Sequence, residues 1–122
     1  MNPIKIALLC LVMGSSYSFA ECSNPTVPEM PDGSKATMDE MLAGKAAVGE
    51  FQKANAAYLE CIGKEMEAIK ATLKEGSKED MAAAQKNFTQ LADTYNAAVT
   101  AEETLAGKFN SEIRAFKAAS KK

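Results

Sequence analysis

Histidine is absent from this sequence of 122 residues. Histidine is the commonest general base and the usual zinc ligand, so its absence removes Ser-His and Cys-His catalytic pairs and ordinary zinc sites. The glycines are scattered and form no phosphate-binding loop. The cysteines form no Cys-x-x-Cys pair, which argues against a redox function. We therefore expect a protein that is not an enzyme, with no catalytic residue, no cofactor and no metal site.

The chain also lacks an excess of positive charge. It carries 14 basic and 16 acidic side chains, a formal net charge of −2. Non-specific binding to nucleic acid needs a positive surface, so we expect no nucleic-acid partner.

No apolar run is long enough to cross a bilayer. The run at residues 6–13 follows Lys5 and ends at a Gly-Ser-Ser break, and Ser18 and Ala20 supply small residues at the −3 and −1 positions of a cleavage site. This pattern predicts a signal peptide over residues 1–20, cleaved after Ala20. Neither Cys10 nor Cys22 follows a small residue, as a lipoprotein cysteine would. We expect a periplasmic or secreted protein.

Cleavage would leave two cysteines, Cys22 and Cys61. An even number of cysteines in an oxidising compartment favours one disulfide between them. An intermolecular disulfide and a free thiol are the alternatives.

Outside the leader, proline is confined to a short segment. Pro25, Pro28 and Pro31 recur every third residue, which favours an extended polyproline II arm over residues 21–36. Pro31-Asp32-Gly33 is typical of a turn, in which glycine accepts a positive φ. We expect Val27, Met30 and the proline rings of the arm to pack against the helices that follow.

Two long helical patterns make up residues 37–122. Thr37 to Glu40 forms a capping box, and apolar residues at helical spacing predict a first helix over about residues 38–74. Gly76 is placed as the residue after its C-terminus, and Ser77 as the N-cap of a second helix over about residues 78–119. A break this short forces the helices into an antiparallel hairpin.

The second helix has two heptad rows that form a coiled-coil-like seam. Folding the chain about Gly76 predicts facing pairs, in which Asn55 falls near Ala98 and fixes the register. Glu102 is an unusual charge on this seam, either at the end of the core or as half of a partner site. The facing apolar pairs are Ile69 with Ala84, Met66 with Phe88, Ile62 with Leu91, and Val48 with Leu105.

The predicted disulfide requires the arm to be long enough to reach Cys61. Cys61 lies about 36 Å along the first helix from Thr37, at about 1.5 Å per residue. The arm from Thr37 back to Cys22 reaches roughly 46 Å in polyproline II geometry. An arm that folds back along the first helix therefore reaches Cys61.

The run from Cys22 through Pro31-Asp32-Gly33 and Glu40-Met41 to Tyr58-Leu59-Glu60-Cys61 resembles a group of small exported proteobacterial proteins. They share a Pro-Asp-Gly, Glu-Met and Tyr-Leu-x-Cys pattern. The resemblance implies the bacterial envelope and paired cysteines, and brings no catalytic residues or activity.

These features predict a non-enzymatic all-α protein that acts by contact with a protein partner, as an adaptor, a chaperone-like binder or an inhibitor. The alternative is a structural homo-oligomer, in which two hairpins form a four-helix bundle through Leu42, Leu59, Val99 and Ile113. A membrane-surface function is less favoured.

Overall fold

The computed structural model describes residues 22–121, in which two α-helices, α1 (Met38–Leu73) and α2 (Lys78–Ser120), contain most of the chain. No strand occurs among these residues, so the all-α prediction is confirmed. The helix boundaries lie within one residue of those expected from the sequence. The predicted signal peptide, residues 1–20, lies outside the described residues.

Local sequence explains where both helices begin. The Thr37 hydroxyl accepts a hydrogen bond from the Glu40 N–H (3.2 Å), and the Glu40 carboxylate accepts one from the Thr37 N–H (2.8 Å). These two bonds complete the capping box predicted for α1. Ser77 caps α2 by accepting from the Asp80 N–H (3.2 Å).

The end of α1 differs in detail from the expectation. Lys74 is the C-cap and keeps right-handed helical dihedrals. The Lys74 and Glu75 N–H groups donate to the Ala71 and Thr72 carbonyls, which closes the helix with a tight turn. No described glycine has a positive φ, so Gly76 does not provide the left-handed C-terminal residue that was expected.

The helices pack against each other in antiparallel order through two buried clusters. Val48 and Leu105 belong to the first cluster, and Leu91 packs against the second cluster, which contains Ile62. The members of each of these two predicted pairs therefore lie in the same part of the interface. The first cluster is Met41, Val48, Phe51, Leu105 and Phe109, and the second is Tyr58, Ile62 and Ala98.

Residues 22–36, which we call the N-terminal segment, pack along about the first two thirds of α1 and the last half of α2. Met30 and Ala36 contact the first cluster, and Cys22 contacts the second. Gly33 is buried against α2, where its N–H donates to Glu112 Oε2 (2.7 Å). This contact joins residues 79 positions apart in the sequence.

Burial repeats every third residue along the first part of the N-terminal segment. Cys22, Pro25, Pro28 and Pro31 are half-buried, and the four other residues between Cys22 and Pro28 are exposed. Met30, beside Pro31, is half-buried as well. A chain with three residues per turn presents every third side chain to the same surface. Val27 falls between these positions and is 48% exposed, so the expectation that Val27 packs inward is wrong.

The core is unevenly distributed along the helices. Every buried residue of α1 lies at or before Ile62, and Ala84 is the one buried residue of α2 that precedes Ala98. We call residues 63–97 the turn half, and residues 22–62 with 98–121 the core half. The N-terminal segment covers only the core half.

Candidate functional site

The disulfide marks the boundary between the two halves. Cys22 is bonded to Cys61 with 5.7 Å between their Cα atoms, so the predicted pairing is present within one chain. A carboxylate oxygen of Glu65 lies within 4.8 Å of both sulfur atoms. Metal binding by cysteine requires thiolates, and both sulfurs are engaged in the disulfide. We therefore assign this trio no metal.

Asn55 and Glu102 form a polar pair inside the helical interface. Asn55 is 1% exposed, and its Nδ2 donates to the Ala98 carbonyl (3.1 Å) and to Glu102 Oε2 (2.9 Å). Asn55 therefore lies against Ala98, as the sequence predicted. The unusual Glu102 is used inside the molecule, where its carboxylate accepts from a buried amide. A buried amide that needs both partners favours one register of α1 against α2.

A groove continues between the helices beyond the disulfide. Glu65 lies beside the Cys22–Cys61 bond and lines this groove, and Leu91 both lines it and packs with the cluster that Cys22 contacts. The groove is therefore an extension of the surface that the N-terminal segment occupies. It holds about 410 Å³ and is lined by Glu65, Ala68, Ile69, Thr72, Asn87, Gln90, Leu91 and Thr94.

A second section carries the same groove toward the turn. It shares Ile69, Thr72 and Asn87 with the first section and holds about 510 Å³. Its other lining residues are Glu75, Gly76, Asp80, Ala83 and Ala84. We call the two sections together the open groove. The sequence placed Ile69 and Leu91 in the interface between the helices, but it gave no sign that a groove would stay open there.

The open groove combines an apolar floor with polar walls and negative charge. Ile69 and Leu91 are half-buried beneath amide and hydroxyl side chains from both helices. Three carboxylates line the two sections, from Glu65, Glu75 and Asp80, and no lysine or arginine lines either. The open groove therefore suits a ligand with apolar groups, hydrogen-bonding groups and positive charge.

The opposite face of the helices holds most of the positions proposed for self-association. Leu42 is 55% exposed, whereas Leu59 and Ile113 pack against the two clusters and Val99 is half-buried. Leu59 also lines a shallow depression with Tyr95. Of the four residues considered for a four-helix bundle, only Leu42 is largely exposed.

Charged residues on this face pair with one another along α1. Lys64 forms an ion pair with Glu60 (2.9 Å), and Lys70 pairs with Glu67 (2.9 Å). The hydrogen bond and charge of Lys64 hold the pKa of Glu60 below its ordinary value. All four side chains are at least half exposed, so we interpret these pairs as solvated surface.

No described helix combines the length and hydropathy needed to cross a membrane. The chain matches no family model, and no curated protein and no solved structure matches it significantly.

Proposed function

We propose that this chain is a non-enzymatic exported helical hairpin that acts by protein contact in the cell envelope. It would serve as an adaptor, a chaperone-like binder or an inhibitor, and the turn half would be its contact surface. The observation that carries this proposal is the uneven core. Met66, Ile69, Phe88 and Leu91 lie between paired helices but stay only half-buried in the turn half.

The position of the N-terminal segment supports different functions for the two halves, with the core half stabilising the fold and the turn half contacting a partner. We propose that it is an extended strap, held by the disulfide, that completes the core half of a coiled-coil-like hairpin. A pair of helices buries only one stripe on each, which is a thin core for about 100 residues. Strapping one half leaves the apolar residues of the other half accessible to a partner.

The envelope location rests on the sequence. The predicted leader at residues 1–20, the paired cysteines and the resemblance to exported proteobacterial proteins all favour it. N-terminal sequencing of the protein recovered from the periplasm of a producing bacterium should begin at Glu21. An intact Met1 in that fraction would contradict the export proposal.

A photo-crosslinking comparison tests the contact surface. A photoreactive phenylalanine replaces Met81 in the turn half or, as the matched control, Met38 in the core half. Both side chains are well exposed, at 41% and 58%. Illumination in the envelope should give discrete heavier adducts from position 81 and none from position 38. Equal labelling at both positions, or none at either, would contradict the proposal.

Sedimentation equilibrium distinguishes the alternative, a structural homo-oligomer. The contact proposal expects a monomer over the accessible concentration range. A stable dimer that Leu42→Glu dissociates would favour the four-helix bundle instead.

A further inference from the structure

We propose that the open groove binds an extended, positively charged segment of a partner protein. This inference rests on the proposed function and specifies its partner. The occupant is a stretch of about five residues without regular secondary structure, carrying apolar side chains and at least one lysine or arginine.

The first argument is continuity with a surface that already holds an extended chain. The N-terminal segment lies along α1 and α2 as far as Cys22, and the open groove starts at Glu65, beside the disulfide. Leu91 lines the open groove and packs against the same buried cluster as Cys22. The same pair of helices therefore offers one long surface, of which the chain's own segment covers the core half and leaves the turn half open.

The second argument is the match between the lining and an extended backbone. An extended chain outside a sheet leaves its N–H and C=O groups in need of partners. Asn87 and Gln90 supply amide groups along one wall, and Thr72 and Thr94 supply hydroxyls. Thr72 and Thr94 donate to their own helix backbones, which leaves their oxygens as acceptors.

Length and charge complete the description of the occupant. The distance from Glu65 to Gly76 is about 16 Å at the helical rise of about 1.5 Å per residue. About five extended residues cover this distance at about 3.1 Å each. Glu65, Glu75 and Asp80 face the open groove without a basic residue in its lining, so a positively charged segment is favoured over a neutral or acidic one.

The test begins with a selection that assumes no partner. A random heptapeptide library displayed on phage is selected on the oxidised protein and depleted on an Ala68→Trp variant. Ala68 is exposed in the wall of the open groove, so tryptophan fills the groove without entering the core. We expect the surviving peptides to be enriched in lysine or arginine together with apolar residues. Enrichment of acidic peptides, or no enrichment over the bare support, would overturn the inference.

Matched variants then locate the binding site. The most enriched peptide is synthesised, labelled and titrated by fluorescence anisotropy. Ala68→Trp should weaken its binding about ten-fold or more, and Ala56→Trp, an exposed alanine on the opposite face, should leave binding unchanged. Gln90→Trp fills the same groove from α2 and serves if Ala68→Trp fails to fold. Equal binding to the groove-filling variants and the control would overturn the inference.

Charge substitutions test the electrostatic part. The double variant Glu65→Gln with Glu75→Gln should weaken binding and reduce its dependence on salt. Glu50→Gln, an exposed glutamate outside the open groove, is the control. Unchanged binding in the double variant would overturn the requirement for a basic segment.

Two further measurements separate the possible failures. A dimer that Ala68→Trp dissociates in sedimentation equilibrium would show that a second copy occupies the groove, which overturns the partner inference. Adducts from position 81 that persist in the Ala68→Trp background would show that the contact function stands while the groove inference fails. If no adducts form from position 81 in the otherwise wild-type protein, both the contact function and the groove inference are contradicted.

Discussion

At the scale of single residues, Gly33 shows how closely the N-terminal segment approaches α2. A Cβ atom at this position would overlap the Glu112 carbonyl oxygen and lie 2.8 Å from its carbon and 3.0 Å from the Phe116 nitrogen. Gly33 lies in a turn, as the sequence predicted, but it does not have the positive φ that was expected there. Glycine is needed here because two backbones meet, and a sequence pattern does not reveal such an approach.

Gly33→Ala should destabilise the fold by about 1–3 kcal/mol, because the added methyl group forces the segment away from α2. Chemical denaturation followed by circular dichroism measures the change. Gly49→Ala is the matched control, since nothing lies within 4 Å of a Cβ at Gly49. In an open helical position, alanine should stabilise by about 1 kcal/mol or less. Equal effects of the two substitutions would contradict the close approach.

Asp32 gives a prediction with a defined pH dependence. Hydrogen bonds from the Ser34 hydroxyl (2.6 Å) and N–H (3.1 Å) hold the pKa of Asp32 below its ordinary value of 3.8. Since the pKa of Asp32 is lower in the folded state than in the unfolded state, ionised Asp32 stabilises the turn at pH values above 3.8. This contribution to stability is lost as the pH falls through the lowered pKa of Asp32 in the folded state.

Ser34→Ala removes the hydroxyl donor, so the pKa of Asp32 should rise toward its ordinary value. Carboxyl ¹³C shifts recorded across an acid titration measure this pKa. The pKa of Glu60, which Lys64 lowers at a different place, should not respond and is the control. An unchanged pKa of Asp32 would show that the Ser34 hydroxyl does not bind it in solution.

At the scale of elements, the two helices are continuous while their burial is not. α1 has 36 residues and α2 has 43, yet nearly all their buried side chains lie in the core half. In the turn half, the helical backbone keeps its own hydrogen bonds, but fewer tertiary contacts hold it in place. Local opening should therefore require less free energy there.

Hydrogen exchange measured by mass spectrometry should follow this division. Amides at residues 48–62 and 98–109 should exchange more slowly than those at residues 66–73 and 81–94. The comparison has an internal control, because each helix contributes residues to both groups. Uniform protection along either helix would contradict the uneven core.

The sequence predicted the elements better than their surroundings. Capping residues and apolar spacing located both helices, because these signals act within a few residues of each other. Proline spacing of three also anticipated which side chains of the N-terminal segment pack inward, apart from Val27. The open groove was missed because it exists only where the N-terminal segment no longer covers the helices. No local sequence pattern encodes that position.

Glu102 and Glu112 illustrate the same limit on the seam rows of α2. Both interrupt apolar rows, and the sequence marked Glu102 as unusual without assigning its partner. In the fold, Glu102 accepts from the Asn55 side chain, and Glu112 accepts from the Gly33 backbone. A carboxylate in an apolar row is explained by a donor that arrives from a distant part of the chain.

At the scale of the whole molecule, the disulfide compensates for a thin core. It closes a loop between residues 39 positions apart. The chain-entropy model gives about 4 kcal/mol for a loop of this size. Typical domains have a total stability of about 5 to 15 kcal/mol, so this contribution is large.

Reduction should therefore lower the melting temperature by about 15 °C or more. Thermal unfolding with and without reductant, followed by circular dichroism, measures the shift. The double variant Cys22→Ser with Cys61→Ser should melt like the reduced protein and should not respond to reductant. Identical melting of the oxidised and reduced protein would show that the bond adds no stability.

The contact between Gly33 and Glu112 also sets an order of events during synthesis. A ribosome releases the N-terminal segment first and the last turns of α2 at the end, 79 residues later. At about 5–20 residues per second, the segment waits several seconds for its binding surface. If the chain is exported while it is being synthesised, Cys61 reaches the oxidising envelope within that interval, so Cys22 can be bonded to α1 before α2 has formed. The disulfide would then hold the N-terminal segment beside α1 until α2 is complete and can pack against both.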